Sequence, residues 1–215
     1  MKNSYLLEHK YFFLLISLVA IILACPLYIY NNYFNWCMHS ILAILLIYIC
    51  FHISQKFWIL FLITILGLTS SAGALFVIFN ANETAFLLRY TLMLIFYFCV
   101  IIILLGNITQ PKMVTKDILL GSLCVYILIG MLFGSIYLHI EYYYPHSFDL
   151  SNININSNQD IIVNFAYFSF TTLSTVGFGD IVPLSIMAKS IVIIEEISGI
   201  FYLAILVSRL AVASS

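Results

Sequence analysis

Residues 171–180 read TTLSTVGFGD, an order suited to holding a bare cation in backbone oxygen. A dehydrated cation needs a cage of oxygens, and consecutive carbonyls supply one when they all face the same way. That arrangement requires some residues at positive φ, which Gly177 and Gly179 accept at little steric cost. Thr175 can add its hydroxyl below the carbonyls of Thr175, Val176, Gly177 and Phe178. One strand forms only one wall, so several chains must converge on an axis. Other chemistries find no support. The five cysteines form no CxxC pair, and the five histidines show no HxxxH or HExxH spacing. No nucleophile, base and cleft constellation appears, so neither an enzyme nor a cofactor is expected.

The element that positions this strip is set by the membrane. Hydrophobic residues make up 64% of the 215 positions and charged residues 8%, too little charge to cover a soluble surface. The net charge of -1 argues against nucleic acid as a partner. About 20 apolar residues cross a bilayer, and such runs cover residues 11–30, 36–53, 57–79, 85–105, 118–140 and 184–212. With both termini cytoplasmic, Lys2, Lys10, Lys56, Lys112 and Lys116 share one side of a plasma (inner) membrane. Glu83, Glu141, Asp149, Asp160 and Asp180 share the other. A break at residues 69–73 would leave five helices and strand Lys56 inside the bilayer, so six helices are favoured. Residues 106–117 read as a polar linker, and the Asn-rich stretch 151–160 as a solvated outer loop.

Residues 161–173 are apolar but too short to cross, which suits a re-entrant helix capped by Asp160. The chain must then return through STVGFGDIVP, residues 174–183. Non-helical backbone at membrane depth is tolerated only when protein surrounds it or when it lines a wet cavity. The expected fold is therefore an all-α membrane protein: six transmembrane helices, a re-entrant pore helix and a filter.

Residues 175–180, TVGFGD, resemble the potassium-channel signature TVGYGD, with Phe178 at the usual tyrosine position. The likeness extends over about residues 118–211, and the run IEEISGIFYLAILVSRL (194–210) is similar to the inner helix of small bacterial ion-channel proteins. The resemblance implies passive, K⁺-selective conduction by a homotetramer in a lipid bilayer, with K⁺ as the permeant ion rather than a cofactor. It makes Thr175, Val176, Gly177, Phe178 and Gly179 the filter, with Thr171, Thr172 and Asp180 as its support. Gly199 would be either a gating hinge or a packing contact, and Ile200, Ala204, Val207 and Ala211 would line the pore. Glu196 lies one turn before Ile200 on that stripe, where a charge would concentrate cations below the filter. Neighbouring positions on a helix are about 100° apart, so Glu195 turns toward the pore helix or another subunit. The alternative is that each acid is protonated or hydrogen-bonded, to Thr171, Thr172 or Ser198, and merely fixes packing. Gly130 and Gly134 suit close helix packing.

The expected domains are a four-helix region, residues 1–117, and a pore domain, residues 118–215. The first resembles a voltage sensor in helix number only. Its fourth helix carries Arg89 alone, and no Asp or Glu falls between Lys10 and Asn82. No cytoplasmic ligand domain follows the last helix within the sequence. The alternatives are a non-selective cation channel and a non-conducting subunit of a channel or transporter assembly. Transporters of the related type carry four loops per chain with a single glycine each, so one two-glycine loop favours a homotetrameric channel.

Overall fold

A computed structural model describes residues 10–24, 32–53, 56–79, 83–109, 116–151, 153, 155 and 158–213. Its helices follow the apolar runs: α1 (Lys10–Leu23), α2 (Asn32–Ile53), α3 (Phe57–Phe79), α4 (Glu83–Thr109) and α5 (Lys116–Tyr143). Then come β1 (Phe148–Asp149), α6 (Asn158–Leu173), β2 (Val182–Pro183) and α7 (Ile186–Ala213). Five helices, α2 to α5 and α7, are long and apolar enough to cross a membrane. The protein is thus an integral membrane protein built almost wholly of helix. The 14 residues of α1 rise about 21 Å, short of a full crossing. The expected first span continues into 25–30, outside the described residues, as do Lys2, Lys112 and much of the Asn-rich loop.

Helix α3 runs unbroken through residues 69–73, as expected, and there the Thr69 hydroxyl donates back to the Ile65 carbonyl at 2.8 Å. Other boundaries differ from expectation. Helix α4 continues to Thr109, so residues 106–109 of the supposed linker are helical. Asp160 does not cap α6. The helix starts at Asn158 and places this carboxylate within its first turn, where it still complements the helix dipole. Helix α7 starts at Ile186, with the Ser185 hydroxyl accepting the Ala188 N–H at 3.1 Å as the cap.

The chain forms two compact units, residues 1–128 and 129–215, and the division falls inside α5. In the first unit Leu14, Leu18, Leu42, Leu46 and Ile49 are buried. The Tyr11 hydroxyl, from α1, accepts the Asn107 side-chain amide at 3.2 Å. Arg89 on α4 is buried, its guanidinium 5.1 Å from the Tyr90 ring centroid.

In the second unit, Tyr137 of α5 sits edge-on to Phe148 (5.3 Å) and tilted against Phe168 of α6 (5.1 Å). Phe165 joins the cluster through Phe148 at 5.0 Å. Glycine allows α5 and α6 to approach this closely. A Cβ on Gly134 would lie 3.0 Å from the Ala166 Cα, and one on Gly130 would lie 2.5 Å from the Phe170 ring. Beyond α5 the Glu141 carboxylate accepts the N–H groups of His146 (2.9 Å) and Phe148 (3.0 Å), turning the chain into β1. Strand β1 pairs antiparallel with β2, Phe148 opposite Pro183. The segment entering the loop is thereby tied to the segment leaving the filter. On β1 the Asp149 carboxyl is held below the ordinary carboxylate range by hydrogen bonds from the Ser151 hydroxyl and amide.

Candidate functional site

Helix α6 ends at Leu173 because its last carbonyls are taken by the strip that follows rather than by another helical turn. The Thr171 carbonyl accepts the N–H groups of Val176 (2.8 Å) and Gly177 (3.3 Å), and the Thr172 carbonyl accepts that of Thr175 (2.9 Å). The strip is thus pinned by its N–H groups. Within the described residues no hydrogen bond ends on the carbonyls of Thr175, Val176, Gly177 or Phe178.

The backbone handedness explains how those carbonyls can act together. Positive φ occurs at Thr175 (60°), Gly177 (53°) and Gly179 (78°), alternating with Val176 and Phe178. Carbonyls along an ordinary extended strand point to alternate sides; inverting every second residue brings them to one side. A β-branched residue at positive φ is strained by about 1–2 kcal/mol, and such strain persists where the surroundings impose it. Thr175 was expected to contribute its hydroxyl, but nothing in its residue type announces the left-handed backbone.

Two further contacts hold the strip. The Phe178 ring lies nearly parallel to that of Tyr167 on α6 (centroids 6.3 Å apart, planes at 5°). The Tyr167 hydroxyl is hydrogen-bonded to the Asp180 carboxylate, which also accepts the Ile181 N–H at 3.1 Å. Thr171 braces the strip through its carbonyl. Its hydroxyl is spent on the Phe168 carbonyl at 2.9 Å. Thr172 is buried beside it.

A cavity of about 450 Å³ opens on one side of the strip, lined by Thr172, Thr175, Gly177, Asp180, Glu196 and Ile200 among others. Glu196 and Ile200 are exposed to it from α7, and Ala204 and Val207 are exposed further along the helix. Ala211 lies on α7, but its side chain is outside the described residues. Among the described residues no group of His, Cys, Asp and Glu could hold a metal ion. The oxygen ligands on offer are the strip's carbonyls and the Thr175 hydroxyl. Residues 123–214 match a family model described as "Ion channel". This segment belongs to the ion-channel pore-loop family. Neither the curated proteins nor the solved structures compared with the chain gave a match.

In the terms of the expected channel fold, α5 answers to the outer helix, α6 to the pore helix and α7 to the inner helix. Gly199 lets α7 pass close to the end of α6: a Cβ there would stand 2.2 Å from the Leu173 carbonyl oxygen. Glu195 is fully buried, and its partners are not those expected. Its carboxyl is bonded by the Tyr137 hydroxyl of the outer helix and lies 2.5 Å from the Ser169 hydroxyl of the pore helix. Ser198 instead bonds back to the Ile194 carbonyl at 2.7 Å, and Thr171 to its own helix. Sequence reasoning missed Tyr137, Ser169 and Tyr167 in the channel segment. A buried acid calls for hydroxyl partners, but the sequence holds many hydroxyls and does not say which ones meet it.

Proposed function

We propose that the protein is a potassium-selective channel conducting K⁺ passively as a homotetramer, with six transmembrane helices per chain and cytoplasmic termini in the plasma membrane. The observation that carries this reading is the run of unbonded carbonyls from Thr175 to Phe178, set on a backbone of alternating hand. Carbonyls desolvated at membrane depth are costly unless a cation or water meets them. Assembly is supported by exposure. In the single chain Val176 is 53% and Phe178 70% exposed, and Ile193, Ile197, Ile200 and Phe201 of the inner helix are exposed as well. A filter with one wall cannot enclose an ion, so further copies of the chain complete it.

The test is cation flux in liposomes holding the purified protein. K⁺ flux well above Na⁺ flux is the expected outcome. Equal fluxes would favour a non-selective channel, and no flux a non-conducting subunit. The same liposomes fused to a planar bilayer should show opening that depends little on voltage. One charge crossing the whole field couples by about 2.3 kcal/mol per 100 mV, against about 3–4 moving charges per subunit in voltage sensors. Helix α4 offers Arg89 alone, buried against Tyr90. Steeply voltage-dependent opening would overturn this part of the reading.

Glu196 supplies a second measurable consequence. Its side chain faces the cavity beside Thr172 and Thr175, where a negative charge raises the local cation concentration. Glu196→Gln is expected to lower single-channel conductance by about twofold near 0.01 M salt, where the Debye length is about 30 Å, and very little near 1 M. Conductance equal to wild type at low salt would leave Glu196 a packing residue.

A further inference from the structure

We infer that Glu195 is held as a neutral carboxylic acid, donating its proton to Ser169, and that this acid positions the pore helix between the outer and inner helices. The inference deepens the channel reading and rests on it for its link to conduction. Proton counting leads to it. The Ser169 oxygen lies 2.7 Å from the Gly130 carbonyl and 2.5 Å from the Glu195 carboxyl, while the Tyr137 hydroxyl meets the other carboxyl oxygen. Three oxygen–oxygen contacts within hydrogen-bond distance therefore need three protons. Serine and tyrosine each carry one, and a carbonyl carries none. A carboxylate would leave one contact as a bare repulsion between oxygens. A carboxylic acid supplies the missing proton: Tyr137 donates to Glu195, Glu195 to Ser169, and Ser169 to the Gly130 carbonyl.

The surroundings favour the same state. Tyr137, Ser169 and Glu195 are each 0% exposed, out of reach of bulk water. An ionised carboxylate there needs a positive partner. The titratable and charged groups acting on it are few. The outer helix presents Tyr137, the inner helix presents Glu196, a like charge, and the pore helix presents the uncharged Ser169. The aromatic wall of Phe148, Phe165 and Phe168 around Tyr137 adds no charge. A chain of three directed hydrogen bonds thus joins outer helix, inner helix and pore helix. Ser169 lies two residues before Thr171, whose carbonyl pins Val176 and Gly177. Holding Ser169 therefore holds the base of the filter, and Glu195 acts through that helix without touching the ion.

Infrared spectroscopy of the full-length protein in liposomes tests the protonation directly. Wild type minus Glu195→Gln is expected to show the carbonyl band of a protonated carboxylic acid at neutral pH. Glutamine keeps the geometry, since its amide donates to Ser169 and its carbonyl accepts from Tyr137. K⁺ flux through Glu195→Gln is therefore expected within about twofold of wild type, and flux through Glu195→Ala to fall about tenfold as Ser169 and Tyr137 lose their partner. Raising the pH should bleach the wild-type band and reduce its flux, while the glutamine variant stays unchanged. A purely structural carboxylate would give no such split. Absence of the band, or a glutamine variant that fails to assemble or conducts no better than alanine, overturns the inference. Loss of K⁺ selectivity in wild type with the band present would instead count against the channel reading alone.

Discussion

Replacing Gly177 by alanine is expected to abolish the preference for K⁺ over Na⁺ while leaving the protein folded. No atom within 4 Å would meet the added Cβ in the single chain, so the effect is conformational rather than steric. Gly177 sits at φ +53°, where an L-residue pays about 1–2 kcal/mol, or ~4–8 kcal/mol over the four copies of the proposed tetramer. Relief is available by returning residue 177 to negative φ, but that turns one carbonyl out of the common direction and opens the cage. Thr175 already carries one strained residue in the same short strip. A second would compete with the N–H pins to Thr171 that hold the backbone in place. The measurement is the K⁺ to Na⁺ flux ratio in liposomes, with melting in detergent as the check on folding. An unchanged ratio would remove the backbone cage from the account of selectivity.

Gly199→Ala is expected to damage the fold instead. Its Cβ would stand 2.2 Å from the Leu173 carbonyl oxygen and 3.1 Å from the Leu173 carbonyl carbon. The obstacle is backbone at the end of the pore helix, so rotating a side chain does not relieve it. Overpacking of this kind costs about 1–3 kcal/mol, which for a chain of this size lowers the melting temperature by about 2–12 °C. Gly106→Ala provides the contrast. Nothing lies within 4 Å of a Cβ there, on a residue of helix α4, and removing a helical glycine favours the fold by about 0.5–1 kcal/mol. The expected order of melting is therefore Gly106→Ala at or above wild type, with Gly199→Ala well below. Equal melting of Gly199→Ala and wild type would contradict the close approach. If opening then changed while melting did not, Gly199 would act as a hinge.

Much of this molecule was legible in one dimension. Apolar length is a local property, so the expected run 57–79 and helix α3 coincide, and α2, α4, α5 and α7 start or end within a few residues of expectation. The shortness of residues 161–173, followed by two glycines in TVGFGD, pointed for the same reason to the short helix α6 and to the non-helical strip after it. Helical geometry also separated Glu195 from Glu196 in direction. Their partners were not legible. Nothing in SIYLHI or YFSFTT distinguishes Tyr137 and Ser169 from the hydroxyls around them.

Composition, apolar spacing and the two glycines by themselves determined that the chain is a membrane protein with a carbonyl-lined strip after a short helix. Those properties depend on residues close in sequence and on the energy of placing them in hydrocarbon. The tertiary structure alone decided the rest: the left-handed Thr175, the carbonyl against Gly199, the pairing of β1 with β2, and the acid shared by Tyr137 and Ser169. Apart from Thr175, whose strip is pinned by the nearby Thr171 and Thr172 carbonyls, each of these is a contact between segments far apart along the chain. Glu195 meets Tyr137 across 58 intervening steps of sequence, and only packing of the helices fixes which hydroxyl reaches it.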